Sequence, residues 1–315
     1  MTVLCPISGS SKVTLLDKIT TKSLIKTYQD SLGLDVFPEL KEFVEIGFYH
    51  CQESDIRFFY PMVTGSESFY EKLQKFDWYY QDEKEEYDYA KNYIKPSDKV
   101  LEIGCGKGAF PQKIKSLNYT GLEFSKQAVQ FASELRLNIL NESIEDHAII
   151  NSETYDVVCS FQVLEHVARP NSFIKSCIKC LKPGGLLIYS IPSADSFVTF
   201  FNDLLNLPPH HVTWYSDESL EYIGKLFELK VINIHHDPLT NVSRRRYKYY
   251  LMLRYLQKLI HYPSNTNLID RSIRYKIITK IASVGARLVP SLILDSDHEL
   301  KPYGQSVTIV YEKPM

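Results

Sequence analysis

Long apolar runs are missing from this 315-residue chain. No stretch approaches the ~18 residues that a membrane-spanning helix needs. Met1 to Lys12 lacks the apolar core of a signal peptide, so the sequence predicts none. Six cysteines, at 5, 51, 105, 159, 177 and 180, are too few for a disulfide scaffold and read as the reduced thiols of a cytoplasmic protein. Neither sign of charge prevails: the formal net charge of −2 gives the chain as a whole no reason to bind nucleic acid. Internal repeats and low-complexity tracts are absent, which excludes solenoids and repeat arrays. Tryptophan occurs only twice, against 22 tyrosines and 16 phenylalanines, rings that fill cores, line clefts or dock partners. What remains, 44% apolar and 23% charged, is the composition of a globular chain with one large domain, or one domain and an appendage.

Three stretches follow one another. Residues 1–95 are mixed and rich in aromatics and acids, 96–236 alternate short apolar runs with helical patterns, and 237–315 hold a basic helical block and then a strand. The apolar runs of the middle stretch are Lys99 to Ile103, Tyr119 to Phe124, Tyr155 to Phe161 and Leu186 to Ile191. From Pro170, apolar residues at Phe173, Ile174, Cys177, Ile178 and Leu181 mark one face of a helix. Pro170 suits its first turn, and Pro183-Gly184-Gly185 stops it. Strands alternating with helices of this length predict an α/β fold with a mostly parallel sheet covered on both faces.

The chemistry-bearing motif is Glu102-Ile103-Gly104-Cys105-Gly106-Lys107-Gly108, between a strand and a helical stretch. Alternating glycines let the backbone turn sharply and let a ligand approach it. A second strand ends in Leu122-Glu123, where an acid can accept hydrogen bonds from both hydroxyls of a ribose. A nicotinamide dehydrogenase shares those features, but its G-x-G-x-x-G fingerprint needs glycine where this chain has Ala109.

Val100 to Gly108 resembles motif I of the class I S-adenosylmethionine-dependent methyltransferases. Three more segments are similar to that family in the same order: Tyr155 to Val167 to its fourth strand and following loop, Leu181 to Ile188 to its next helix-to-strand turn, and Gly304 to Tyr311 to its antiparallel last strand. The resemblance covers about 96–236 and 303–313. It implies a Rossmann-like sheet, mostly parallel with an antiparallel last strand, flanked by an N-terminal segment and a C-terminal helical insertion. It also implies S-adenosylmethionine as cofactor. Gly104, Gly106 and Gly108 would face its methionine part, Glu102 would orient its amino group, Glu123 would hold the ribose and Phe124 would lie along the adenine. Asn141 to Ile144 falls where the family contacts the adenine edge; Glu142 and Ser143 compete for the place of the family's usual Asp, and Ser143 with Ile144 is the assignment carried forward. Ser160, Phe161 and Gln162 would close over the methionine end. For Phe124 and Ile144 the alternative is core packing.

A hydroxyl or activated-carbon acceptor needs a base, and histidine has the right pKa. His166 follows the fourth strand. His210 and His211 lie in Pro208-Pro209-His210-His211-Val212-Thr213-Trp214, which resembles a segment of small-molecule methyltransferases acting on sugars or lipids. The stretch falls at the carboxyl edge of the sheet, where open α/β folds bind ligands. The three are the candidate catalytic residues; the alternatives are local packing for His166 and a structural role for one of the pair. Upstream, the aromatic run around Phe69, Tyr70, Phe76, Trp78, Tyr79 and Tyr80 resembles a segment that folds over the cofactor. Tyr79 and Tyr80 are read as lid residues, with a core or interface cluster as the alternative.

Cys5-Pro6-Ile7-Ser8-Gly9 resembles half of a zinc knuckle with Ser8 at the second ligand position, and Cys51-Gln52-Glu53-Ser54 resembles the other half with Ser54 in its partner's place. Two cysteines and His50 do not reach the four N or S ligands of structural zinc, so a metal-free relic is expected. Cys177-x-x-Cys180 lies on the amphipathic helix and reads as core. Together these readings divide the chain into a degenerate zinc-module-like segment (1–68), an aromatic and acidic helical cap (69–95), an S-adenosylmethionine-binding core (96–236), a basic helical insertion (237–302) and the last strand (303–315).

Residues 244–287 carry 11 Lys and Arg against Asp270 alone, a block of +10 on a remainder of −12. Apolar residues recur there at helical spacing, through Leu251, Tyr255 and Leu259, then Ile273, Ile277, Ile281, Val284 and Leu288. The leading reading is a lid packed on the acidic body, its cations paired with Asp and Glu there. A basic amphipathic helix also reads as a surface for an anionic membrane or partner, with RNA binding as the third reading. The expected activity is methyl transfer from S-adenosylmethionine to O or C of a small molecule such as a sugar, nucleotide-sugar or lipid-linked intermediate, in a cytoplasmic protein that can sit at a membrane. The alternatives are a protein or RNA methyltransferase and an inactive cofactor-binding scaffold. The acceptor and the oligomeric state are left open.

Overall fold

The computed structural model describes residues 2–76, 79, 83–125, 128–130, 135–200, 203–262, 268–270, 272–287 and 304–315. Its centre is a seven-stranded sheet. In chain order the strands are β4 (Lys99–Ile103), β5 (Asn118–Leu122), β6 (Ile139–Leu140), β7 (Tyr155–Phe161), β8 (Leu181–Pro192), β10 (Lys230–His236) and β11 (Ser306–Glu312). Across the sheet they run β10-β11-β8-β7-β4-β5-β6. All neighbours from β8 to β6 are parallel, and β11 runs antiparallel to both β8 and β10. This is the mostly parallel sheet with an antiparallel last strand that the sequence predicts. Its strands are apolar runs because both faces are covered: Val157, Val158, Cys159 and Phe161 of β7 are all buried.

Helices α5 (Ile144–Ile150), α6 (Pro170–Cys180) and α7 (Asp217–Leu226) lie among these strands. Pro170 occupies the first turn of α6, and Phe173, Ile174, Cys177 and Cys180 form its buried face. Cys177 and Cys180 thus serve the core. Ser216 caps α7 by accepting from the Ser219 N–H at 3.2 Å.

The N-terminal residues build a second sheet. β1 (Val13–Thr20), β2 (Glu45–Cys51) and β3 (Arg57–Tyr60) form an antiparallel meander. Its fourth strand, β9 (Thr213–Trp214), comes from the middle of the chain and pairs with β3. Helix α1 (Thr21–Leu32) is capped by Thr20 and ends at Gly33, whose φ of +66° is the left-handed conformation glycine favours. It buries Leu24 and Tyr28 against the aromatic core of this sheet, which includes Phe48, Phe59 and Phe69. The short helices α2 (Phe37–Leu40), α3 (Glu67–Leu73) and α4 (Glu85–Ala90) complete this half.

The two halves of the knuckle-like motif meet. Cys5 Sγ lies 3.4 Å from Ser54 Oγ, and Ser8 Oγ lies 4.0 Å from Cys51 Sγ. Cys5, Cys51 and Ser54 are buried. His50 turns away and pairs with Asp55 at 2.7 Å. Burial raises the Cys51 thiol pKa, but hydrogen bonds from Ser54, the nearby backbone and Cys5 outweigh it, and the net shift is downward.

The basic insertion contains helices α8 (Asn241–Leu259) and α9 (Ile273–Gly285), joined face to face through Leu253, Ile278 and Ala282. The apolar row of α9 singled out from sequence, Ile273, Ile277, Ile281 and Val284, is the exposed one. Its packed face is offset by one position. Leu288 and Arg271 lie outside the described residues.

The knuckle geometry yields a prediction. The 3.4 and 4.0 Å separations match the about 3.8 Å edge of a tetrahedron with Zn–S bonds of ~2.3 Å. The double variant Ser8→Cys, Ser54→Cys is expected to bind one more Zn²⁺ per chain than the parent and, loaded with Co²⁺, to show thiolate-to-cobalt absorption that the parent lacks. A double variant that takes up no more metal than the parent would show that the four positions are not a ligand set.

Candidate active site

A single large cavity of about 1600 Å³ opens at the carboxyl ends of the central strands. It exceeds the ~300–1,000 Å³ of an ordinary small-molecule pocket. The glycine loop forms one end. Gly104, Gly106 and Gly108 have φ of +72°, +52° and +78°. A Cβ on Gly104 would stand 2.5 Å from Val163 Cγ2, and one on Gly108 2.3 Å from Leu137 Cδ1. Both the turn and the space therefore demand glycine.

Glu123, just past β5, accepts from the N–H of Gly106 at 2.9 Å and of Ser125 at 2.8 Å, so its carboxylate is fixed beside the loop. Phe124 next to it is 66% exposed and lines the cavity, so it is not core. Asn141 donates to the carbonyls of Glu123 and Phe124 at 2.8 and 2.9 Å and pins that strand end. Ile144 and Phe161 line the wall and are also buried in the core.

Four of the assigned residues, Gly108, Ser143, Glu102 and the fully buried Ser160, do not line the cavity. Gly108 shapes the loop's far turn. Ser143 is taken up by helix capping: it accepts from the Asp146 N–H at 3.0 Å and donates to Asp146 Oδ2 at 2.6 Å, while Glu142 beside it faces the cavity. Glu102 is buried beneath the loop, where Tyr119 donates to it at 2.5 Å. Burial pushes its carboxyl up to about 7, against the opposing effect of that hydrogen bond.

Gln162 sits at the end of β7 with φ +59°, a left-handed conformation that costs a non-glycine residue energy and is common at functional sites. Its amide donates to Glu86 at 3.3 Å and to Ser306 at 3.2 Å, linking α4 to β11 across the cavity wall. Val163, which follows it, is the side chain that fills the space beside Gly104.

At the other end the three histidines come together. One ring nitrogen of each lies within 4.8 Å of those of the other two. His166 Nδ1 donates to the His210 carbonyl at 2.6 Å and also lies 3.2 Å from the Tyr70 hydroxyl. His210 Nδ1 donates to the Leu205 carbonyl at 2.8 Å, and His211 Nδ1 to Asn206 Oδ1 at 3.2 Å. With every Nδ1 a donor, every Nε2 carries a lone pair. Tyr79 donates its hydroxyl proton to His210 Nε2 at 3.1 Å and lines the cavity. Tyr80 lies outside the described residues. Burial holds His166 far below its ordinary value, at about 4, with the His210 carbonyl opposing. Burial and the neighbouring imidazoles hold His210 and His211 well below theirs.

Sequence reasoning missed Glu165. Its side chain is 1% exposed, and neither oxygen has a hydrogen-bond donor from another described residue. It stands 3.7 Å from His166 Nε2 and 4.0 Å from His211 Nε2. Burial pushes its carboxyl up to about 8. The adjacency Glu165-His166 was the available signal. Tyr70 and Asn206 were missed as well, since nothing local marks a tyrosine or asparagine as a partner for a distant histidine.

A family model described as a methyltransferase domain matches residues 74–268, more than half of the chain. The chain belongs to the methyltransferase family. A ubiquinone biosynthesis O-methyltransferase of Vibrio atlanticus (strain LGP32) is 31% identical over 166 residues, which cover 46% of this chain and 70% of the relative. One of the same name from Aliivibrio fischeri (strain MJ11) is 32% identical over 163 residues, covering 45% and 70%. The crystal structure of a SAM-dependent methyltransferase from Archaeoglobus fulgidus is 18% identical and covers 72% of this chain and 94% of that one, at a TM-score of 0.46. The protein is thus an S-adenosylmethionine-dependent methyltransferase. The loop built from left-handed glycines, with Val163 packed where a Cβ on Gly104 would stand and a fixed carboxylate beside it, fits that cofactor.

Glu102 supplies a pH test. The folded carboxyl keeps its proton up to about pH 7, whereas the unfolded chain releases it near 4.5. Across that window the folded state binds the extra proton, so this group's contribution to stability falls as pH rises and levels off above about 7. The whole window corresponds to at most about 3 kcal/mol. Glu102→Gln keeps an acceptor for Tyr119 and removes the titration. Relative to the parent it is expected to gain stability between pH 5 and pH 8 in urea unfolding of the cofactor-free protein. An identical difference at both pH values would contradict the burial argument.

Proposed function

We propose that this protein transfers the methyl group of S-adenosylmethionine to a hydroxyl oxygen of a small, lipid-associated acceptor, and does so at an anionic membrane surface. One observation carries the reading: Gly104 and Gly106 of the glycine loop, Glu123 and the cluster of His166, His210 and His211 line the same cavity. The relatives named as O-methyltransferases support oxygen as the accepting atom.

The cofactor, when bound, supplies an electrophilic methyl group on a sulfonium. Gly104 and Gly106 offer it close-approach backbone, Glu123 accepts from its ribose hydroxyls, and Phe124 and Ile144 flank its base. Phe161 and Gln162 form the wall that directs the methyl toward the acceptor. The chain's task is then alignment, the effect that proximity and orientation supply. The Nε2 lone pair of His166 or of His211 would take the acceptor's hydroxyl proton as the new O–CH₃ bond forms and the S–CH₃ bond breaks, since that of His210 already accepts from Tyr79. Tyr79 and Tyr70 hold the ring orientations.

Membrane placement rests on the insertion. Ile273, Ile277, Ile281 and Val284 are exposed along α9, and Arg245, Lys258, Arg274, Lys276, Lys280 and Arg287 are exposed on the same two helices. An apolar row beside cations matches the boundary between acyl chains and anionic headgroups. The lid reading needs this block salted onto the body; Arg246 does pair with Asp203 at 3.0 Å, next to the cavity. Ser243 and Arg246 of α8 line the cavity, so the docking helices border the acceptor's way in.

Two experiments test this. Glu123→Ala removes two charge-assisted hydrogen bonds, each worth about 1.5–3 kcal/mol. Calorimetric titration with S-adenosylmethionine is expected to show affinity reduced by tenfold or more with the fold intact; an unchanged Kd would remove Glu123 from the site. In flotation with phosphatidylglycerol vesicles, the parent is expected to rise with the lipid at low salt and less at high salt, and Ile277→Asp, Ile281→Asp to stay behind. A parent that fails to float at low salt leaves the lid.

A further inference from the structure

We propose that His166, His210, His211 and Glu165 form a binding site for one divalent transition-metal ion of the zinc class. Three independent features converge on it. The three imidazoles place one nitrogen each within 4.8 Å of one another. Each has its Nδ1 proton committed to an oxygen: the His210 carbonyl, the Leu205 carbonyl and Asn206 Oδ1. That is the outer-shell arrangement by which metal-ligating histidines are fixed in one tautomer, with Nε2 left to the metal. The Glu165 carboxylate is buried in the same cluster with no donor from another described residue. A carboxyl so placed lacks a counter-charge, and removing a charge from water without a partner is costly.

The donor set has the composition that zinc takes: neutral imidazoles and one carboxylate, at ~2.0–2.2 Å from the ion. Closing from 4.8 Å toward the about 3.3 Å edge of such a tetrahedron asks for small ring movements, and Tyr79 would release its hydrogen bond to His210 Nε2. No proton on a ring has to be moved. Hard cations are a poor match, since they prefer all-oxygen shells.

The site borders the cavity, as all four residues line it. With the ion bound, the three Nε2 lone pairs are ligated and no longer take a proton. The ion can then expand its coordination toward the cavity and take an acceptor oxygen, so that activation would come from the lowered pKa of the bound hydroxyl. This use of the site rests on the hydroxyl-acceptor reading above, whereas the binding of the ion does not.

The test uses the full chain, stripped with a chelator and titrated with Zn²⁺ by calorimetry and with Co²⁺ by visible absorption. The expected result is one ion per chain and a cobalt d–d spectrum without thiolate charge transfer. The affinity should fall about a hundredfold or more in His211→Gln and in Glu165→Gln. Circular dichroism and S-adenosylmethionine titration, run on every protein, show whether each variant is folded. If a variant fails to fold, the parent's cobalt spectrum still decides, because ligation at Cys5 and Cys51 would show thiolate bands. No stoichiometric uptake by the folded parent overturns the proposal, and so does binding that both folded variants retain. Cofactor binding that survives such a failure leaves the methyltransferase reading standing, while loss of hydroxyl-acceptor turnover with the metal still bound would count against that reading alone.

Discussion

The two residues of β9 hold the molecule's two sheets in one frame. Thr213 and Trp214 pair with Phe58 and Arg57 of the N-terminal sheet, and the loop that precedes them carries His210 and His211. The loop is fastened from both sides. Tyr28 of α1 donates to the carbonyls of Leu204 and Leu207 at 3.0 Å each, Trp214 Nε1 to the Asn206 carbonyl at 2.8 Å, and the Val212 N–H to the Glu165 carbonyl at 2.8 Å. Without the N-terminal residues the carbonyls of Leu204 and Leu207 would lose the Tyr28 donor. The N-terminal residues are therefore part of the wall that positions the histidines, although the family model begins only at residue 74.

That dependence explains which parts of the structure were legible in the sequence. The glycine loop and its carboxylate were readable because strand, turn, helix and acid are contiguous, and each residue type answers a local need. Gly104 and Gly108 are left-handed, and Glu123 just past the second strand accepts from the loop's Gly106 N–H. The second sheet was not readable as a sheet. One of its strands has only two residues and arrives from about 150 residues away, where Thr213-Trp214 carries no more signal than a loop. The histidines were legible as a residue type at the right edge of the sheet, but their convergence was not. Glu165 was invisible for a different reason: a charged residue beside a strand end is read as solvated, and only the fold shows that the next layer covers it.

Ser143 and the α9 row mark the limit of pattern reasoning in another way. Position and spacing were right in both cases, and the competing use of the side chain decided the outcome. The Ser143 hydroxyl is better satisfied by the free N–H groups that open α5 than by a ligand. In α9, a period of nearly four residues names two adjacent apolar stripes, and packing against Leu253 selected Ile278 and Ala282. Periodicity identifies a helix face and leaves open which stripe meets the protein.

Charge is distributed along the cavity to a consistent end. Buried acids surround it: Glu86 beside Gln162, Asp237 pushed up to about 7 by burial and by Glu86 and Glu85, and Glu165 at the histidine end. Such groups are costly in an empty apolar pocket and become favourable when a cation or a hydrogen-bond donor faces them. Burial holds these carboxyls at a raised pKa, so in the empty cavity they keep much of their protons near neutrality; a sulfonium cofactor is a cation, and binding it would favour their ionised form. The basic helices at the cavity's edge carry the opposite sign outward, away from this acidic interior. One chain thereby carries a basic exterior on the insertion and an acid-lined cavity, with Arg246 and Asp203 meeting at the boundary between the two.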